Sequence, residues 1–158
     1  QEEGKRPVGN ASIQELASYN AYFAKDTQEK ILYLTFDCGY ENGNTPLLLN
    51  ALKKHNVKAT FFCVANFAQK YPEIISRFKE EGHYIALHSL KHKNSMLQGM
   101  LETKKDLKQS LEIMQNLKGE ISVLYFPIVI AKKEICVYKP EFKTSKLSIK
   151  PDKLTLLG

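Results

Sequence analysis

Asp37, Cys38, His88 and His92 are the side chains of this sequence whose types and spacing could do chemistry. Asp37 and Cys38 follow the apolar run Ile31-Leu32-Tyr33-Leu34-Thr35-Phe36 and lead into Gly39-Tyr40-Glu41-Asn42-Gly43. An acid at the C-terminal end of such a strand sits where α/β folds keep their chemistry. Downstream, Tyr84-Ile85-Ala86-Leu87 runs into His88-Ser89-Leu90-Lys91-His92, and two imidazoles four apart can share one cation. Taken singly, each feature is ordinary. An Asp after a strand is commonly a turn or cap residue, a His pair at this spacing is commonly surface, and Cys38 and Cys63 are small buried hydrophobes. What sets them apart from those readings is their joint occurrence, in order and each after an apolar segment.

The elements that must position these groups follow from periodicity. Ser12 and Glu15 have capping-box spacing for a short helix carrying Leu16, Tyr19 and Phe23. The spacing predicts a strand over Ile31 to Phe36, then a helix opened by Thr45 as N-cap and Pro46 as first helical residue, striped by Leu48, Leu49 and Leu52 and stopped at Asn56. Ala59 to Val64 reads as a strand covered on both faces. Pro72 opens a helix with Ile74, Ile75 and Phe78 buried and Gly82 as its stop, and Tyr84 to Leu87 is a short strand delivering the histidines. A helix from Gly99 to Lys118 carries Leu107, Leu111, Met114 and Leu117, and Ser122 to Phe126 reads as a fourth strand. Alternating strands and helices imply a parallel sheet with right-handed crossovers.

A chain of 158 residues, 43% hydrophobic and 25% charged, is by size one globular domain. Its net charge of +6 comes from scattered lysines, which form a solvated face rather than the clustered patch of a nucleic-acid binder. The three cysteines make no disulfide framework, no run is long enough to span a bilayer, and no charged-then-apolar signal peptide opens this chain. The expected organisation is a lead-in over residues 1–30, a catalytic-type unit over 31–126, and a lysine-rich tail over 127–158 without regular period.

Thr35-Phe36-Asp37-Cys38-Gly39 and His88-Ser89-Leu90-Lys91-His92 resemble the two leading motifs of the polysaccharide deacetylases, carbohydrate esterase family 4, which read Thr-Phe-Asp-Asp-Gly and His-Ser/Thr-x-x-His. The longer wording through Tyr40-Glu41-Asn42-Gly43 is similar to the branch that forms delta-lactam from muramic acid in spore cortex during sporulation. The resemblance covers about Pro7 to Phe126. It implies an α/β fold, a distorted (β/α) barrel truncated here to its first half. It also implies a hydrolase that removes N-acetyl groups from the glycan strand of peptidoglycan with a divalent metal ion, zinc, as cofactor. By the same resemblance Asp37 is the catalytic base, His88 and His92 are metal ligands, and the Tyr40 backbone N–H belongs to the oxyanion hole. The expected protein is a cell-envelope monomer with a glycan partner, no nucleic acid and no membrane span.

The departures from the family pattern matter as much. Cys38 stands where the family has a second, metal-binding acid, and as a residue it is open to two readings: a soft thiolate ligand or a bystander. In place of the Arg-Pro-Pro motif, whose arginine orients the base, the chain reads Tyr125-Phe126-Pro127-Ile128-Val129-Ile130. No histidine follows His92 to serve as the family's general acid. A frame shift or truncation near residue 127 would give this pattern. Two other classes therefore stand beside the enzyme: a non-catalytic remnant that binds glycan or metal, and a zinc-stabilised structural module using Cys38, His88, His92 and Cys63.

Overall fold

The computed structural model describes residues 11–22, 24, 27–117 and 137–138. Three parallel strands form its centre: β2 (Thr35–Cys38), β3 (Thr60–Cys63) and β4 (Tyr84–Leu87), in the order β2-β3-β4. They are preceded by α1 (Ile13–Ser18) and β1 (Ala21–Tyr22) and separated by α2 (Asn44–Lys54), α3 (Ala65–Lys70) and α4 (Pro72–Glu80). After β4 come α5 (Ser95–Asn116) and β5 (Val137–Tyr138), which pairs antiparallel with β1. The tail thus supplies one short strand, where the sequence suggested no regular structure. The fourth strand expected at Ser122 to Phe126 lies outside the described residues, as does the Arg-Pro-Pro position.

The strands pair in register, Thr35 with Thr60 and Tyr84 and Cys38 with Cys63 and Leu87. Side chains alternate across a strand, so two faces are defined. Phe36, Cys38, Phe61, Cys63, Ile85 and Leu87 join the core with Leu49 and Leu52 of α2, Phe67 of α3, Ile75 and Phe78 of α4 and Leu107, Leu111 and Met114 of α5. Phe61 stacks on Phe78 with centroids 3.9 Å apart and on Phe36 at 5.3 Å. Asp37, Phe62 and Ala86 occupy the opposite face, level with one another.

Several boundaries differ from the sequence expectation for identifiable reasons. β2 starts at Thr35 rather than Ile31, because pairing with β3 sets the strand while Ile31 and Leu32 stay exposed. Asp37 therefore lies inside the strand, not after it. α2 starts at Asn44 rather than Pro46, with Gly43 as N-cap at φ +92, a conformation that glycine adopts without penalty. The cap is supplied by Glu41, whose Oε1 accepts hydrogen bonds from the N–H of Gly43 at 2.5 Å and of Thr45 at 3.4 Å. Pro46 is tolerated because the first-turn N–H groups have no helical acceptor to lose. The Ser12 cap of α1 matches expectation, its hydroxyl accepting from Glu15 N–H at 3.0 Å. Helix α5 runs from Ser95 to Asn116 but is broken at Gly99, with φ +73, so its regular part begins there. The short helix α3 had no counterpart in the sequence reading.

Candidate active site

The site lies at the C-terminal ends of β2 and β4. His88 follows β4 directly, its N–H donating to Cys63 O at 3.0 Å, and its ring is almost wholly buried. Its Nε2 stands 3.8 Å from Asp37 Oδ2, and the Asp37 side chain remains half exposed, open to a substrate. The His92 ring is 5.1 Å from that of His88 at 72°. A Cβ placed on Gly39 would stand 3.9 Å from His92 Cδ2, so His92 reaches back from the β4 loop to the end of β2. Asp37, His88 and His92 are thus brought together.

The turn that carries the histidines is unusual. Ser89 has φ +71 and His92 φ +56, both in the left-handed region. Such conformations in residues other than glycine cost about 1–3 kcal/mol each and persist only where surroundings enforce them. Here Ser89 O accepts from Ala65 N–H at 3.1 Å, and Ser89 Oγ accepts from His92 N–H at 2.9 Å. Leu90 N–H donates to the buried Asp106 carboxylate at 2.7 Å. Sequence reasoning missed Asp106. The available signal was a carboxylate beside Leu107 at the edge of an otherwise apolar helix stripe.

Burial raises the Asp37 carboxyl above the ordinary aspartate value of 3.8, while the neighbouring His88 and His92 pull it down; desolvation is the larger effect. A carboxylate held less acidic than usual is the better proton acceptor once ionised. Cys38 is placed elsewhere. Its side chain is buried in the helix-facing core, with Sγ 4.0 Å from Phe36 O, and it pairs in register with Cys63. Burial pushes the Cys63 thiol well up, and the Cys38 thiol beside it adds to the shift. The structure thus brings neither thiol onto the face that carries Asp37. Tyr40 follows Gly39 past the strand end with its ring largely in solvent.

Among the described residues no three His, Cys, Asp or Glu side chains form a group that could hold a metal ion. The donors that do face one another are two imidazoles, which by chemistry suit a borderline cation such as zinc as two of its ligands. No described helix is long and apolar enough to cross a membrane.

The sequence model of the polysaccharide deacetylase family matches residues 24–131, more than half of the chain. Over 110 residues the chain is 38% identical to the peptidoglycan-N-acetylmuramic acid deacetylase PdaA of Bacillus subtilis (strain 168), covering 70% of this chain and 42% of that protein. It is 35% identical over 100 residues to a peptidoglycan-N-acetylglucosamine deacetylase of Bacillus cereus, covering 63% of this chain and 36% of the relative. The solved structure of B. subtilis PdaA, a family 4 carbohydrate esterase, superimposes with a TM-score of 0.63 at 36% identity, over 70% of this chain and 47% of that one. A family 4 carbohydrate esterase from Bacillus anthracis gives 0.64 at 31% identity, over 73% and 57%. The chain spans less than half the length of both curated relatives.

Proposed function

Since the chain belongs to the polysaccharide deacetylase family and carries parallel units of its distorted (β/α) barrel, we propose that it holds the base and cation-binding half of a peptidoglycan N-deacetylase centre. The substrate we assign is the N-acetyl group of muramic acid in the glycan strand of the cell wall, the delta-lactam chemistry of spore cortex. Two observations support that choice: the wording Thr35 to Gly43, and likeness to a relative named for N-acetylmuramic acid. The observation that carries the reading is the 3.8 Å approach of Asp37 Oδ2 to His88 Nε2 with His92 alongside.

In this reading His88 and His92 hold a divalent cation, which when bound lowers the pKa of water and polarises the acetamide carbonyl. Asp37, with its raised pKa and half-open side chain, accepts the proton of the attacking water. In the same reading the backbone N–H of Tyr40, assigned from the family motif, donates to the oxyanion. The amine must leave protonated, and for that step this sequence offers no histidine beyond His92 and no arginine beyond Arg77 to steady the base. Absence of a positioned acid costs about 10²–10⁴ in rate, so turnover by this chain is slow.

The test is acetate release from peptide-free glycan strands with zinc or cobalt added, Asp37→Asn serving as the blank. Slow release above the blank, from muramic acid residues rather than glucosamine residues, is expected. Release equal to the blank would reduce the chain to a binding protein. Robust Asp37-dependent release would show that residues beyond the described ones supply the missing acid.

A further inference from the structure

We propose that Asp106 of α5 is a positioning residue, whose carboxylate sets the place of His92 without touching substrate or cation. This rests on reading His88 and His92 as the working imidazoles. The two histidines are held very differently. His88 is fixed by the sheet itself, since it follows β4 and its N–H extends the ladder to Cys63 O. His92 hangs on a turn in which Ser89 and His92 both have positive φ, a geometry uncommon for residues other than glycine.

Three hydrogen bonds, two of them to other elements, enforce the turn. One comes from the start of α3, Ala65 N–H to Ser89 O, and one is internal, His92 N–H to Ser89 Oγ. The third is Leu90 N–H to Asp106 Oδ2, the shortest of the three at 2.7 Å. Asp106 itself is buried on the side of α5 that packs on the core, next to Leu107. A buried carboxylate is retained only where its charge is satisfied, and a charge-assisted bond to a backbone N–H is among the stronger ways to do so. Ser110 Oγ donates to the Asp106 backbone carbonyl at 2.7 Å and leaves the carboxylate to the turn.

The consequence is asymmetric. Removing the acceptor frees Leu90 N–H, lets the turn relax toward negative φ, and swings His92 away from His88 and Gly39. His88 stays where the sheet holds it. Outer residues that orient metal-binding imidazoles typically change metal affinity by about 10–100-fold when replaced.

The experiment is side-chain NMR of the histidines in the metal-free full chain, followed by zinc titration, for the wild type, Asp106→Ala and Asp106→Asn. The alanine variant is expected to shift and broaden the His92 ring signals while those of the remote His83 stay in place, and to weaken zinc binding by about tenfold or more. The asparagine variant keeps a carbonyl acceptor of the same size and is expected to restore the His92 signals. Should the alanine variant not fold, Asp106→Ser, whose hydroxyl falls short of Leu90, takes its place. Unchanged His92 signals would overturn the proposal. So would a joint shift of His83, His88 and His92, which would mark Asp106 as structural only. These signals are read without substrate, so a failure of the deacetylase reading in the acetate assay leaves them unaffected.

Discussion

Asp37 Oδ2 and His88 Nε2 stand 3.8 Å apart although β3 lies between their strands. The contact is possible because Asp37 points to the face opposite the helices and His88 sits one residue beyond the level of Cys38, Cys63 and Leu87. Asp37 and His88 are thereby tied to the same three strands, whereas His92 depends on a turn.

This placement fixes the pH behaviour of any hydrolysis. Asp37 must be ionised to accept a proton, and burial raises its pKa above 3.8. The rate is therefore expected to fall as pH drops and Asp37 takes up a proton, giving an acid limb of kcat/KM. Asp37→Asn is expected to lower the rate about 10²–10⁴-fold and remove the limb. An acid limb that persists unchanged in Asp37→Asn would contradict the assignment of Asp37 as base.

At the other end of β4, His83 gives a separate pH signature in stability. It is buried, its Nδ1 accepts from Ala59 N–H at 3.3 Å, and its Nε2 is 3.8 Å from Glu81 Oε2. Burial lowers its pKa below the usual 6.5, with Lys58 adding to the effect. The unfolded chain then binds the proton more readily, so this contribution to stability grows as pH rises from the lowered value to about 6.5 and is level above it. Urea midpoints measured across that window should rise with pH in the wild type and rise less in His83→Gln. Equal slopes would show that His83 does not titrate differently on folding.

The aromatic stack at the centre of the core is expected to dominate stability. Phe61→Ala removes a fully buried ring lying 3.9 Å from Phe78 and should cost about 3–5 kcal/mol in urea unfolding. Leu97→Ser, at an exposed position of α5, should change stability by no more than about 0.5 kcal/mol. Comparable losses in the two variants would mean that the core is placed wrongly.

Much of this was legible in the sequence, for local reasons. β4, α4 with Pro72 first, the Ser12 cap and the apolar stripe of α5 each rest on short-range chemistry. The pairing of Asp37 with His88 and His92 could be anticipated from the motifs, since each lies at the C-terminal end of a strand. What could not be read depends on partners distant in sequence. β2 begins where β3 pairs with it, Glu41 caps α2 from outside the helix, and Asp106 reaches a turn 16 residues earlier. Helix α3 is too short, at six residues, to show a period. The face on which Cys38 lies followed from strand register, which a shift of one residue would have reversed.

One cation shared by two imidazoles beside Asp37 is the centre of the proposed site. Zinc content after dialysis, by mass spectrometry, should be measured for the wild type, His88→Ala, His92→Ala and Cys38→Ala. Metal is expected in the wild type and undiminished in Cys38→Ala, whose side chain faces the helices, and strongly reduced in both histidine variants. Equal zinc in all four proteins would contradict the account.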